Sequence, residues 1–448
     1  MTQVQAKDDR YVSEFRALQK SREGREPEWL SRARAHAFAQ FTELGFPTAR
    51  RGNERWKYTS VAPIAAATFR HPPAAGGHPA AGALDGRMPT GDGWVTLGFL
   101  DGRYSPSLST PSPKLEGARI SSLATALEHD GHVVEEHLGR YAVAEDDGFT
   151  ALNTAFADDG AILRVEREAR LASPVHLVHV SAGNGSPTAS HPRNLIVAGR
   201  NSEATIVETY LSLSPGRDLT NTVTEIVLEE GAKVDHYRLL LNAAGAFHVG
   251  ATRVHQSRDS SFTSASVARG AALARHDLLV TLDAPGTYCS LNGLYVTSGK
   301  EHIDNFINID HASPHTTSRL YYKGILDGSS KAVFGGTVLV RKDAQKADAQ
   351  QSDKNLLLSD DAEVNSKPSL LIYADDVKCG HGATAGHIDL DTLFYMMSRG
   401  LDRKTASALL VRGFAGEIID QVRLEPLQQF LEGSFLDVLS GSQLGGGR

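Results

Sequence analysis

From about Phe149 to Ala385 the chain is a succession of short runs rich in β-branched residues, separated by small or polar turn residues, with no helical periodicity between them. The runs Ala161 to Val165, Val175 to Val180, Asn194 to Val197, Thr205 to Tyr210, Thr222 to Leu228 and Val234 to Leu241 read as strands. Turn residues return at loosely regular intervals, at Asn201-Ser-Glu203, Glu230-Gly231, Asp259-Ser260, Ala284-Pro-Gly286, Asp327-Gly-Ser329 and Asp360-Asp361, with a wider gap before Asp327. Such a loose period without crossover helices is the pattern of stacked coils, so the expected core is a parallel β-helix over residues 149–387. A β-sandwich is the alternative, but it needs turns every ~8 to 12 residues and repeated tight hairpins. Only Asn292-Gly293 and Asp327-Gly328 offer such hairpin turns. Eight or nine coils at about 4.8 Å each make a stack roughly 40 Å long, whose two ends require caps to hide unpaired strand edges.

The flanking regions are suited to capping. Residues 1–148 read as mostly helical: Pro27 opens a stripe of Trp29, Leu30, Ala33, Ala37, Phe38 and Phe41 that closes at Gly45 and Pro47. Arg70 to Arg87 shifts to Pro, Ala, Gly and His and reads as a flexible linker. Trp94 to Leu100 and Ile120 to Leu138 suggest a strand and a short helix packed near the N-terminal helices. Beyond His387, residues 388–448 are expected to form a helical domain. Asp389 or Asp391 caps a helix carrying Leu393, Phe394, Met396 and Met397, Asp402 caps a second with Ala406, Leu409, Leu410, Phe414 and Ile418, and a third follows Pro426. So small a unit cannot bury every apolar face alone, which makes Leu393, Phe394, Met397, Leu409 and Phe414 candidates for partner binding.

Composition removes several function classes. A formal charge of -7 over 448 residues, with no Lys/Arg block, gives no footprint for nucleic acid or a membrane surface. No run approaches the roughly 18 apolar residues of a membrane span, and Met1 to Arg10 lacks the apolar segment of a secretory signal. A soluble, cytoplasmic protein is expected. Two cysteines, Cys289 and Cys379, fit a reducing compartment and make no disulfide framework. Nucleophile elbows, phosphate-binding Gly-rich loops and His-Glu-x-x-His helices do not occur. Asp360-Asp361 and Asp375-Asp376 raise the reading of a polysaccharide-active β-helix enzyme, but adjacent strand residues point to opposite faces.

The sharpest chemical signal is Ala374-Asp-Asp-Val-Lys-Cys-Gly-His-Gly-Ala-Thr-Ala-Gly-His387. In an extended segment Cys379 and His381 share one side, about 6.5 to 7 Å apart, with Gly380 facing away. A thiolate and an imidazole suit a thiophilic metal such as zinc or iron, yet a closed site takes about four ligands. No neighbouring cysteine completes the set, so the others must come from solvent, a substrate cluster or a partner chain. The bland alternative is a buried small residue beside a hydrogen-bonded turn histidine. His176 and His179, three apart on a strand, face opposite ways. His311 and His315 bracket a turn and are expected to cap or pack. The polar run Arg341 to Ser352 reads as a ladder of stacked amides.

Several stretches carry a family resemblance: Glu54-Arg-Trp-Lys-Tyr-Thr59, Phe149-Thr-Ala-Leu-Asn-Thr-Ala-Phe156, His311-Ala-Ser-Pro-His-Thr-Thr-Ser-Arg319 and Asp343-Ala-Gln-Lys-Ala-Asp-Ala-Gln-Gln-Ser352. With Asn355-Leu-Leu-Leu-Ser-Asp-Asp-Ala-Glu-Val364, Lys367-Pro368, Tyr373-Ala-Asp-Asp-Val-Lys-Cys-Gly-His-Gly-Ala-Thr384 and Leu393-Phe-Tyr-Met-Met-Ser-Arg-Gly400, they span nearly the whole chain. The chain resembles the SufB/SufD family of iron–sulfur cluster assembly proteins. The resemblance implies a mainly β fold, a right-handed parallel β-helix between helical N- and C-terminal domains. It also implies a non-catalytic scaffold subunit that assembles with a SufB-like chain and a SufC-like ATPase. SufB-like chains carry Glu after the motif's His and have sulfur-accepting cysteines. Here Gly382 follows His381, and Leu356 to Val364 has no cysteine, which resembles the SufD side of the pair. The resemblance further implies that His381, with Cys379 nearby, helps hold a transient iron or iron–sulfur cluster at the SufB interface. No cofactor would be stably bound by the chain alone, and the helices from Asp391 onward would dock the ATPase. A self-contained structural or binding protein, such as a homodimer paired through sheet edges, is the competing class.

Overall fold

The computed structural model describes residues 2–50, 52–72, 82–111, 115–183 and 185–435; residues 73–81 of the expected linker and 436–448 of the expected C-terminal domain lie outside them. Two ten-stranded sheets, parallel except at their N-terminal ends, face each other, and from Val175 on the chain alternates between them. In the first sheet successive strands start at Glu203, Lys233, Ser261, Tyr288, Thr317, Asp348 and Lys378, a spacing that matches the turn period of the sequence. The core is therefore a parallel β-solenoid flanked by N- and C-terminal helices.

Strand alternation sorts the side chains. Ala204, Val234, Phe262, Cys289, Ser318, Ala349 and Cys379 form one in-register row facing the lumen of the coil. Lumen-facing residues of both sheets make the main apolar core, including Ile206, Ile226, Val254, Leu291, Ile307 and Phe334. The outward residues of the first sheet, among them Val207, Tyr237, Val267, Leu294 and Ile325, are covered by Val411, Ala415, Ile418 and Leu427 of the C-terminal helices Arg403–Ile419 and Glu425–Phe430. Outside the second sheet, residues 53–59 form a strap. Arg55 pairs with Asp277 at 2.6 Å, Thr59 Oγ1 donates to Asp304 at 2.5 Å, and the Arg275 guanidinium lies 3.9 Å from the centre of the Trp56 ring.

Two expectations are corrected. The strand expected near Trp94 forms at Val95–Leu100 but pairs in register with Val175–Val180 in the first sheet instead of packing near the N-terminal helices, because Leu97 and Phe99 enter the lumen core. The run Arg341 to Ser352 makes no amide ladder. Its first half is a turn with Ala344 and Ala347 buried, and Gln351 has Leu320 and His381 as register neighbours.

The two ends of the stack differ. At the N-terminal end the sheets finish in the antiparallel strands Arg103–Tyr104 and Ala118–Ser122, and helix Gly148–Phe156 is pinned by Asn153, whose Nδ2 donates to the carbonyls of Pro192 and Asn221. At the other end Glu363–Ile372 and Lys378–Gly386 are the last strands of their sheets, and neither contains a fully buried residue. Among the described residues nothing pairs with their outer edges.

Candidate functional site

The open end is where the Cys379/His381 motif sits. Lys378–Gly386 is extended and pairs in parallel with Asp348–Leu357, setting Cys379 against Ala349 and His381 against Gln351. Both side chains belong to lumen-facing rows, on one side of the strand as their spacing requires. Cys379 is half-buried against the end of the lumen core, and burial pushes its thiol up, opposed by the Ala349 backbone amide and reinforced by the Asp348 carboxylate. His381 is exposed. Gly382 faces open space, while a Cβ at Gly380 would sit 3.0 Å from the Gln350 side chain. No group of three or more His, Cys, Asp or Glu side chains able to hold a metal ion occurs among the described residues. The motif is thus a two-donor fragment facing the open coil end.

One rung beneath it lies a polar floor, of which only Gln351 falls in the polar run named from the sequence. Gln351, Asp353 and Asn355 face the lumen under His381, Ala383 and Ala385. Asp353 is fully buried and accepts hydrogen bonds from Ser366 Oγ at 2.7 Å, Asn355 Nδ2 at 2.7 Å and Tyr295 OH at 3.3 Å. Gln351 Nε2 donates to the Gly336 carbonyl at 3.3 Å, and its Oε1 is buried without a partner. Stepping back one coil from His381 and Ala383 arrives at Gln351 and Asp353, a signal available once the coil length is known.

Burial pushes the Asp353 carboxyl up to about 6, against the three hydrogen bonds that favour its ionised form. A carboxyl raised in the folded state above its unfolded value near 3.8 makes the native form the tighter proton binder. Its stabilising effect is complete below about pH 4 and disappears as pH rises through about 6. Asp353→Asn is therefore expected to gain stability relative to wild type by roughly 2 to 3 kcal/mol between pH 4 and pH 8. Urea unfolding midpoints across that range check it; a pH-independent difference would contradict the raised value.

The other histidines singled out from the sequence make structural contacts or hold turn positions. His176 bonds Thr209 at 2.8 Å on the outer face, and His179 stacks between Phe99 and Tyr210 in the lumen, so the two face opposite ways. Burial pushes their imidazoles down to about 3 and 4. His311 bonds Thr316 at 2.7 Å and Ser318 at 2.9 Å, and His315 holds a left-handed turn position. Asp360-Asp361 and Asp375-Asp376 lie in the turns after the strands Asp348–Leu357 and Glu363–Ile372, which leaves them at different corners of the last coil.

In the C-terminal helices the predicted partner face divides. Leu393 is buried and Phe414 lies over the Lys323 ammonium, 4.1 Å from nitrogen to ring centre. Phe394, Met397 and Leu409 are exposed, Phe394 by 74%. Leu390 and Tyr395, not among the predicted partner residues, are exposed as well, and the i, i+4 spacing puts Leu390 on the same side of its helix as Phe394. A second exposed apolar group, Leu371, Ile372 and Tyr373, ends the last strand of the second sheet.

The chain is similar in sequence to known proteins over most of its length. Residues 179–414 match the family description "SUF system FeS cluster assembly, SufBD core domain", and residues 93–177 match "SufBD protein N-terminal region". An iron–sulfur cluster assembly SufBD family protein of Synechocystis is 35% identical over 74% of this chain and 75% of its own length. The iron–sulfur cluster assembly protein SufD of Escherichia coli is 30% identical over 87% of this chain and 88% of its own. SufD of Bacillus subtilis is 26% identical over 95% and 96%. With a family match across more than half of the chain and these relatives spanning most of it, the chain belongs to the SufB/SufD family of iron–sulfur cluster assembly proteins of the SUF system.

Proposed function

We propose that this chain is the SufD-type subunit of a cytoplasmic SUF scaffold, a non-catalytic component whose open coil end pairs with a SufB-like chain and whose C-terminal helices dock a SufC-like ATPase. The observation that carries the reading is the asymmetry of the solenoid, closed at one end and open at the other, with Cys379 and His381 facing the lumen in the open, last rung. Unpaired edges nine and ten residues long are suited to the edges of another coil. In that arrangement His381 donates a neutral imidazole nitrogen to a nascent iron–sulfur cluster, which is cargo, and Cys379 stands beside it. The neighbouring chain supplies the remaining ligands. The relatives named SufD, matched over 88% and 96% of their own lengths, support the assignment.

The exposed Phe394, Met397 and Leu409 give the ATPase an apolar surface. ATP binding by two ATPase subunits, one on each scaffold chain, draws them together and strains the paired edges, opening the site near His381. The same open edges favour a second state, in which the isolated chain pairs with its own copy. Anaerobic co-expression with SufB-like and SufC-like proteins, purification through a tag on this chain alone, and assay of subunits, iron and sulfide test the reading. The expected result is a heteromeric complex carrying iron and sulfide. A lone homodimer without partners or metal would overturn it in favour of a self-contained structural protein.

A further inference from the structure

The outer face of the first sheet carries an arrangement that assembly at the open end does not require. Lys323, on strand Thr317–Leu326, is 1% exposed and lies under helix Arg403–Ile419. Its Nζ is 2.7 Å from the Glu417 carboxylate and donates to the Phe414 carbonyl at 2.9 Å. Tyr321 OH donates to Glu417 at 2.5 Å. On the next strand the residue in register with Lys323 is Lys354, and beyond it comes Thr384 of the terminal strand. The Lys354 ammonium lies 5.4 Å from the centre of the Tyr321 ring. Two like charges therefore occupy adjacent rungs, an unfavourable cross-strand pair by itself. Among the described residues the one carboxylate paired with either of them is Glu417, which belongs to the docked helix and not to the coil.

The location gives this cluster a consequence. Strand Asp348–Leu357 carries Lys354 on its outer face and Gln351 and Asp353 on its lumen face, and its backbone ladder alone holds the terminal strand in its sheet. The terminal strand is poor in packing side chains, with Gly380, Gly382, Ala383, Ala385 and Gly386 in nine positions. Displacing helix Arg403–Ile419 removes the neutralising carboxylate and leaves Lys323 and Lys354 to repel across the rungs that support His381.

We propose that Glu417, Lys323 and Lys354 are positioning residues that couple the docking of the C-terminal helices to the pairing of the terminal strand carrying Cys379 and His381. Its meaning for cluster assembly rests on the function proposed above; the coupling itself is a property of the single chain. A force or partner acting on the exposed Phe394/Leu409 face thereby loosens the strand at the open end through charge, without contact between the two places.

Amide hydrogen exchange on the full-length chain tests this in four forms: wild type, Glu417→Gln, Lys354→Met, and the two combined. Glu417→Gln is expected to speed exchange in 378–386 roughly fivefold, along with the helix 403–419. Lys354→Met alone leaves 378–386 at least as protected as in wild type. In the combined variant the strand returns to wild-type protection while the helix stays fast, which a purely mechanical loosening would not produce. Unchanged strand exchange in Glu417→Gln overturns the proposal, and so does a combined variant whose strand remains fast. Because no partner is needed, a chain that shows the coupling yet forms no SUF complex fails the functional reading alone, and the reverse result fails this one alone.

Discussion

Replacing His381 with alanine is expected to lower the iron and acid-labile sulfide of the co-purified complex roughly 10- to 100-fold while the chain folds normally. The factor is the usual cost of disturbing a metal site even at its outer partners. Folding is spared because His381 is exposed at the end of the coil, where substitutions generally change stability by less than about 0.5 kcal/mol. The measurement is metal and sulfide content per complex, with subunit ratio and unfolding midpoint alongside. Unchanged cluster content would remove the ligand role. Loss of the complex itself would assign His381 to the interface. Cys379→Ser separates the neighbour from the ligand: a ligand thiol gives a similar loss, a bystander gives wild-type iron.

The largest expected effect on stability lies far from that site. Glu225, on the outer face of the second sheet, is 0% exposed and pairs with Arg193, itself 2% exposed, at 2.6 Å. Its carboxylate also accepts the backbone N–H groups of Gly139, Tyr141 and Ala142 at 2.8, 2.9 and 3.0 Å. Glu225→Ala strands a buried guanidinium and three amides together, and removing one partner of a buried pair typically costs about 3 to 5 kcal/mol. The loss should appear in urea unfolding, with the 139–142 segment becoming sensitive to proteolysis. Glu225→Gln keeps an oxygen acceptor for the amides and should lose less. A cost below about 1 kcal/mol for the alanine variant, the scale of an exposed pair, would mean that water replaces the lost contacts.

The legibility of this chain follows the range of the interactions involved. The coil was readable because its signals are local: a turn residue at each corner and a β-branched run between corners. The Cys379/His381 pair was readable for the same reason, since two positions apart on any strand means one shared side. The caps Asp389 and Asp402 lie where the helix starts suggested, each accepting amides of the first turn. Asp353, the lumen position of Gln351 and the Lys323–Glu417 contact were not readable. Lys323 and Glu417 are separated by four further strands and two helix starts, and nothing near either names the other.

By itself, then, the sequence determined that the chain stacks parallel coils between helical flanks and that one thiol and one imidazole share a side near its end. Only the tertiary structure decided that this end is the open one, that a buried acid lies one rung below, and that the C-terminal helices lie back along the first sheet. Successive coils differ slightly in length, and a slip by a single position turns every side chain of a strand to the opposite face. Register is therefore a property of the stacked rungs, set by the sum of their lengths and by which faces bury together, and no local run of residues contains it.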